Sequence, residues 1–290
     1  MSKNKKHKVG GLGEVLWDIF SDTKKLGGAP ANFAAHAQQL GAKSYLLSAV
    51  GKDLLGQKVI TRLQHLQVDT SGIQVKTGHT TGHVNVSLNP MGSPIYDIQE
   101  NMAWDHIKFD DINKKTVKDL DALCFGTLAQ RNPKAQACIL KILKSTTLDC
   151  LRVFDVNFRQ DFYSPKMVQK SLDLANAVKM NEDEFSIIVG MFSLLKNHEK
   201  GLQSLIRKFN LKFGIITLGE NGAVMANQDE FCFYSPKNTI EIKSTVGAGD
   251  AFTAAAVMGW LDQKSLKKII KEASDLGTYV CSHLEAVPKI

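Results

Sequence analysis

Apolar residues along this chain fall into two rhythms that take turns. Compact apolar runs predict strands at residues 8–16, 44–50, 122–125, 151–156, 177–180 and 213–218, with shorter ones at 223–225 and 231–234. Apolar residues at helical spacing predict helices at 30–40, 54–66, 248–261 and 264–282, and amphipathic stretches separate the later strands. The middle of the chain departs from this rule. Runs rich in β-formers at 83–88 and 94–99 flank Asn89-Pro90-Met91-Gly92, which predicts a hairpin instead of a βα unit. Apolar strands alternating with helices predict an α/β protein with a mostly parallel central sheet, flanked by helices on both faces. The β-rich region then forms a small β-sheet lid, from about residues 12–20 and 81–108, on a single domain of residues 1–290. Ligands of such open sheets bind beyond the carboxyl ends of the strands, so the chemistry is expected there.

Composition narrows the class. Apolar residues make up 43% and charged residues 22% of 290, ordinary globular usage that argues against disorder. The net charge of +7 comes in part from Lys3, Lys5, Lys6 and Lys8, a solvated basic start. That excess is too modest to imply a nucleic-acid partner. Five cysteines without a CxxC pair suggest neither zinc nor a disulfide framework, and fit reduced thiols in a cytoplasmic protein. Glu14 and Asp18 interrupt the only candidate targeting segment, and no apolar run is long enough to span a membrane.

The strongest local pattern is Ser244-Thr245-Val246-Gly247-Ala248-Gly249-Asp250 running into an Ala-rich helix. Small residues let the backbone approach a ligand, and the amides opening a helix favour an anion. Asp250 then faces a bound phosphate, where a carboxylate makes sense as a general base. A capping Asp on an ordinary Gly-rich turn fits the bare spacing equally well. Gly27-Gly28-Ala29-Pro30 offers a tight backbone before a Pro-started helix, and Asn32 presents a two-way amide. Read without context, it is also a plain helix start. Asp18 suits paired hydroxyls of a polyol, or is a solvated loop residue. In Asp155-Val156-Asn157-Phe158-Arg159, strand alternation would aim Asp155, Asn157 and Arg159 to one side, where Arg159 could grip phosphate or substrate oxygen. A structural Asp–Arg pair is the alternative. Asn181-Glu182-Asp183-Glu184 reads as a capped acidic helix start, and Thr217-Leu218-Gly219-Glu220-Asn221-Gly222 as a turn after a buried strand.

Together these segments resemble the ribokinase/PfkB carbohydrate kinase family. The segment ending at Asp250 is similar to its D-T-x-G-A-G-D motif. Gly27 to Ala34, Leu40-Gly41 and Val50 to Gly56 resemble its N-terminal signature, in the right order. The blocks around Asp18, Trp104, Gln130-Arg131 and Arg159 look most like fructokinase-type members. The resemblance implies a ribokinase-like fold and transfer of the γ-phosphate of ATP to a sugar hydroxyl, with D-fructose to fructose 6-phosphate first and 2-keto-3-deoxygluconate, ribose or adenosine as alternatives. It implies Asp250 as base, with Gly247, Ala248, Gly249 and Arg159 stabilising the transferring group. Asp18, Gly28, Asn32, Asn157 and Arg159 would bind sugar. Thr217, Gly219, Gly222, Gly247, Gly249 and Ser274 would bind nucleotide, and Asn181 and Glu184 would hold Mg²⁺ largely through water.

Three positions depart from the family pattern. Ser244 replaces the acid of the motif, Glu285 stands where relatives usually have Gly, and Ser274 where many have Asn. A K⁺ site near the last two therefore stays open, as does a non-catalytic sugar- or nucleotide-sensing relative. A Walker P-loop is missing, and Gly10-Gly11-Leu12-Gly13 lacks the rest of a dinucleotide fingerprint. An exposed lid edge could pair two subunits into a homodimer. Trp104 would pack either on the sugar or in the core.

Overall fold

The computed structural model describes residues 6–88, 94–236 and 240–290. The turn expected at Asn89-Pro90-Met91-Gly92, and Lys3 and Lys5 of the basic start, lie outside them. In chain order the elements begin β1 (Lys8–Leu12), β2 (Leu16–Ile19), β3 (Lys24–Gly27), α1 (Ala29–Gln39), β4 (Lys43–Gly51), α2 (Leu54–His65), β5 (Ile73–Lys76), β6 (Gly82–Leu88) and β7 (Pro94–Ile98). They continue α3 (Asp111–Val117), β8 (Ala122–Phe125), α4 (Pro133–Lys144), β9 (Leu151–Asp155), α5 (Pro165–Leu174), β10 (Ala177–Asn181), α6 (Glu182–Phe192) and α7 (His198–Phe209). The chain closes with β11 (Phe213–Thr217), β12 (Ala223–Ala226), β13 (Phe231–Tyr234), α8 (Ala248–Leu261) and α9 (Leu266–Cys281).

Nine strands form one sheet in the order β13-β12-β11-β10-β9-β8-β1-β4-β5, parallel except at β12 and β13. The period of two decides which helices each strand side chain meets. Val178 and Met180 of β10 join the core under α4 to α7, whereas Leu151 and Val153 of β9 and Ala177 of β10 join the core under α1, α8 and α9. A third cluster packs α1 and α2 against β4. Helix α8 has little polar surface, from Ala251 to Gly259, and is accordingly buried.

The small sheet has the order β3-β2-β6-β7. It differs from the expectation in two ways. The run at 8–16 is not one strand: β1 ends at Leu12, Gly13 turns at φ 145° with its N–H donating to Leu47 O, and the chain crosses to β2. Asp18 therefore lies on the small sheet, within the stretch expected to belong to the lid. Strand β3 was not anticipated, because Lys24 and Lys25 dilute its apolar signal; it forms because pairing with β2 satisfies its backbone groups. Beyond Ile98 the chain leaves the small sheet, and Trp104 is 1% exposed in the main core with the Arg131 guanidinium 4.0 Å from its ring centre. Trp104 is thus a core residue.

Candidate active site

A cleft of about 1260 Å³ opens along the carboxyl ends of the parallel strands, between the two sheets and the start of α8. Every site residue expected from the sequence lines it. Asp18, Gly28, Asn32, Asn157 and Arg159 gather near the small sheet, while Thr217, Gly219, Gly222 and Ser274 lie toward β11 and α9. Gly247, Ala248, Gly249 and Asp250, with Asn181 and Glu184, also line it.

Helix α8 starts at Ala248, capped by Gly247 in the left-handed region at φ 82°. A side chain on Gly247 would meet the Ala286 carbonyl at 2.2 Å, so both conformation and space demand glycine. The first N–H groups of a helix lack intrahelical acceptors, which makes this end an anion cradle. The buried Oγ of Ser274 has no partner among the described residues and belongs to the same cleft.

Asp250, in the first turn, accepts a 2.8 Å hydrogen bond from Asn32 Nδ2. Burial raises its pKa to about 7; the charge of Asp155 adds to the rise, and the Asn32 bond, Lys179 and Arg159 oppose it. Its affinity for a proton is therefore tuned close to neutrality, as proton abstraction requires. Asn32 itself is aimed by Gly28, which takes φ 104° immediately before α1. A Cβ at Gly28 would lie 2.6 Å from Glu14 O and 3.0 Å from Val15 Cα. Gly28→Ala is expected to cost about 2 kcal/mol or more of stability in denaturant titration.

The alternation expected for Asp155, Asn157 and Arg159 does not hold. Strand β9 ends at Asp155, and Asn157 turns into the left-handed region at φ 42°. The rule of two applies only while the chain stays extended. Asn157 and Arg159 reach the cleft, but Asp155 points under α8, where its Oδ1 is 3.1 Å from Lys179 Nζ and its Oδ2 is 2.9 Å from Thr253 Oγ1. The partner of Asp155 is thus Lys179, not Arg159.

Lys179 was not singled out from the sequence, although a lysine inside the apolar run Ala177–Asn181 was a usable signal. It stands opposite Asp155 in the β9–β10 register and shares the α8 face of the sheet with Ala177. Its Nζ lies 3.1 Å from where a Cβ on Gly249 would sit, and it lines the cleft. Burial works against its charge, yet Asp155, Glu184 and Asp250 together hold its pKa above the usual lysine value. A fixed cation thus sits beside the anion cradle. Glu14 was also missed; it is 2% exposed and lines the cleft.

Asn181 and Glu184 form a capping box. Asn181 Oδ1 accepts from Glu184 N–H and Glu184 Oε2 from Asn181 N–H, both at 2.8 Å, while Glu184 Oε1 accepts from Phe158 N–H at 2.9 Å. Burial leaves Glu184 above the usual carboxylate range. With its oxygens already accepting backbone bonds, Glu184 fits a hydrated Mg²⁺ reached through water, using remaining lone pairs, better than a direct cage. Among the described residues no cluster of three or more His, Cys, Asp or Glu could hold a metal by itself. Nor does any described helix have the length and apolarity to cross a membrane.

A cleft at the carboxyl ends of a parallel sheet, covered by a small second sheet and holding a buried carboxylate at a helix N-terminus, defines a phosphotransferase architecture. The pfkB family carbohydrate kinase model matches residues 5–289, and the chain belongs to that family. It is 32% identical to an uncharacterized sugar kinase, PH1459 of Pyrococcus horikoshii, over 276 residues, covering 89% of this chain and 84% of that one. The crystal structure of PH1459 in complex with ATP superposes with a TM-score of 0.81 at 28% identity, over 96% of this chain and 93% of the other. The fructokinase of Salmonella typhimurium is 27% identical over 85% of this chain and 82% of its own. The chain is a sugar kinase with the ribokinase-like fold of this family.

Proposed function

We propose that this protein transfers the γ-phosphate of ATP to D-fructose, giving fructose 6-phosphate. The observation that carries the substrate reading is the charge of the cleft. Among its described lining residues the basic ones are Arg159 and Lys179, against Glu14, Asp18, Glu184, Glu220 and Asp250. Lys179 is engaged by Asp155. Of the described lining, Arg159 is the basic residue left near the sugar positions, facing Asp18 and Glu14; Lys25, opposite Asp18 across β2 and β3, adds positive charge there without lining the cleft. A sugar acid or sugar phosphate needs a clamp of donors for its anion. A neutral polyol is served better by carboxyls, each able to take more than one hydroxyl bond. The relatives include both kinds by name: a fructokinase at 27% identity and a 5-dehydro-2-deoxygluconokinase of Clostridium botulinum at 23%. The charge pattern favours the neutral sugar.

In this reading Asp18, Gly28, Asn32, Asn157 and Arg159 hold the sugar, and Thr217, Gly219, Gly222 and Ser274 border the nucleotide. Asp250 accepts the proton of the attacked hydroxyl, while the amides of Gly247 to Asp250 and the Lys179 ammonium stabilise charge on the transferring group. Asn181 and Glu184 would hold magnesium bound with ATP through water, and the ion would supply further neutralisation of the phosphates. The small sheet acts as a lid whose Val84 and Ile98 turn an apolar surface to the cleft and keep water from the phosphate.

ADP release with MgATP across fructose, ribose, 2-keto-3-deoxygluconate and adenosine tests the proposal. Fructose should show the highest kcat/KM, by about tenfold or more over the sugar acid. Preference for the acid would overturn the charge argument. Tight ATP binding without turnover on a wider sugar panel would replace catalysis with a sensing role.

A further inference from the structure

Glu14 occupies the crossing between the two sheets. Its side chain is enclosed, its Oε2 has no hydrogen-bond partner among the described residues, and it lines the cleft with Gly28, Asn32 and Asp250. A carboxylate in that place would carry a desolvated charge with an unsatisfied oxygen, which is costly. Asp250 is provided for differently. It accepts from Asn32 Nδ2 and feels the positive charges of Lys179 and Arg159. The charged groups facing Glu14 are Asp250 from α8 and Arg159 from the loop after β9. Asp18, from the small sheet, faces the same Arg159, and Asp155 lies behind Asp250. Two buried carboxyls thus share one region: Asp250 has the Asn32 amide and the Lys179 charge beside it, whereas Glu14 meets the backbone N–H groups of Glu14 and Ala29 but keeps its Oε2 without a partner among the described residues.

We propose that Glu14 works as a neutral carboxylic acid, donating a hydrogen bond to an oxygen of the bound sugar while Asp250 stays ionised to receive the hydroxyl proton. The inference rests on the sugar-kinase reading above and adds a binding residue to it. On turnover the sugar O–H bond breaks, its proton passes to Asp250, and the freed oxygen pair bonds to the γ-phosphorus as the bond to the ADP oxygen breaks. Glu14 keeps its own proton throughout. The two carboxyls go from one proton to two, and the second leaves to water when the cleft reopens.

The titration of both groups agrees. Burial raises Glu14 to about 7, backbone hydrogen bonds lower it, the charge of Asp250 raises it further, and Arg159 opposes the rise. Asp250 is likewise raised to about 7, first by burial. Such a pair gives up its protons in two coupled steps. The first, from Asp250, creates the base; the second, from Glu14, removes the sugar donor.

The test is the pH dependence of kcat/KM for the sugar at saturating MgATP, in wild type, Glu14→Gln and Glu14→Ala. Infrared spectra of the nucleotide-free proteins accompany it. The wild type should give a bell, its acid limb set by Asp250 and its alkaline limb by Glu14. Glu14→Gln cannot ionise, so it should keep the acid limb and lose the alkaline one. Glu14→Ala should lose about tenfold or more, chiefly through KM, because a buried sugar oxygen loses its donor. At neutral pH the carbonyl band of a protonated carboxyl should persist in Asp250→Asn and vanish in Glu14→Gln. An unaltered alkaline limb in Glu14→Gln, or a band that vanishes in Asp250→Asn instead, would overturn the proposal. If no sugar is turned over, the kinase reading fails by itself, and the infrared comparison still decides where the proton resides.

Discussion

Asp250→Asn is expected to lower kcat by about 10³-fold or more while leaving MgATP binding within about threefold, because a positioned base contributes of that order and the amide keeps the shape of the carboxylate. The same change should make the protein more stable in alkali. The folded-state pKa of Asp250 is about 7 against an ordinary 3.8, so the folded protein holds this proton more tightly than the unfolded chain. The resulting stability is fully present below the unfolded value and is lost as pH rises through about 7. Asparagine carries no charge to desolvate. At pH 8 the variant should therefore exceed wild type by on the order of 3 kcal/mol, with the gap closing toward pH 4. Urea titrations at the two pH values, with single-turnover phosphoryl transfer, check both halves. A variant that keeps more than about a tenth of the rate would remove Asp250 from the role of base.

Lys179→Met should also lower kcat sharply, by about 10²-fold, through loss of the fixed cation beside the helix N-terminus. Here stability moves the other way. Asp155 would remain buried without its partner, a loss of about 3–5 kcal/mol. Adding Asp155→Asn removes the stranded charge, so the double variant should recover much of the stability but none of the rate. That split separates a role in transfer from a role in folding. Recovery of rate along with stability would make the pair structural.

The sequence reached far into this structure where its signals were local. Strand boundaries at Ala122–Phe125 and Phe231–Tyr234, and the helix Ala248–Leu261, coincide with the apolar patterns. Most residues expected at the site were legible as a group because they sit near strand ends or helix starts, where glycine, proline and capping residues mark the chain; Asp18, inside β2, and Ser274, in the middle of α9, are the exceptions. Asn181 and Glu184 carried a double meaning, and the capping half is visible in their reciprocal hydrogen bonds. The failures have a common cause. Strand β3 is made by its partner β2 and not by its own composition, and the break at Gly13 exists because the chain must leave one sheet for another.

By itself, then, the sequence determined the order of strands and helices, the sites of turns, and a set of polar residues at strand ends. Only the tertiary structure decided what those polar groups are worth. The carboxyls of Asp250 and Glu14 acquire their high proton affinity from burial, and Asp155 faces Lys179 because β9 and β10 lie side by side in parallel register. Desolvation and through-space charge depend on neighbours distant in the chain, such as Asn32 and Asp250, 218 residues apart. No local pattern records them.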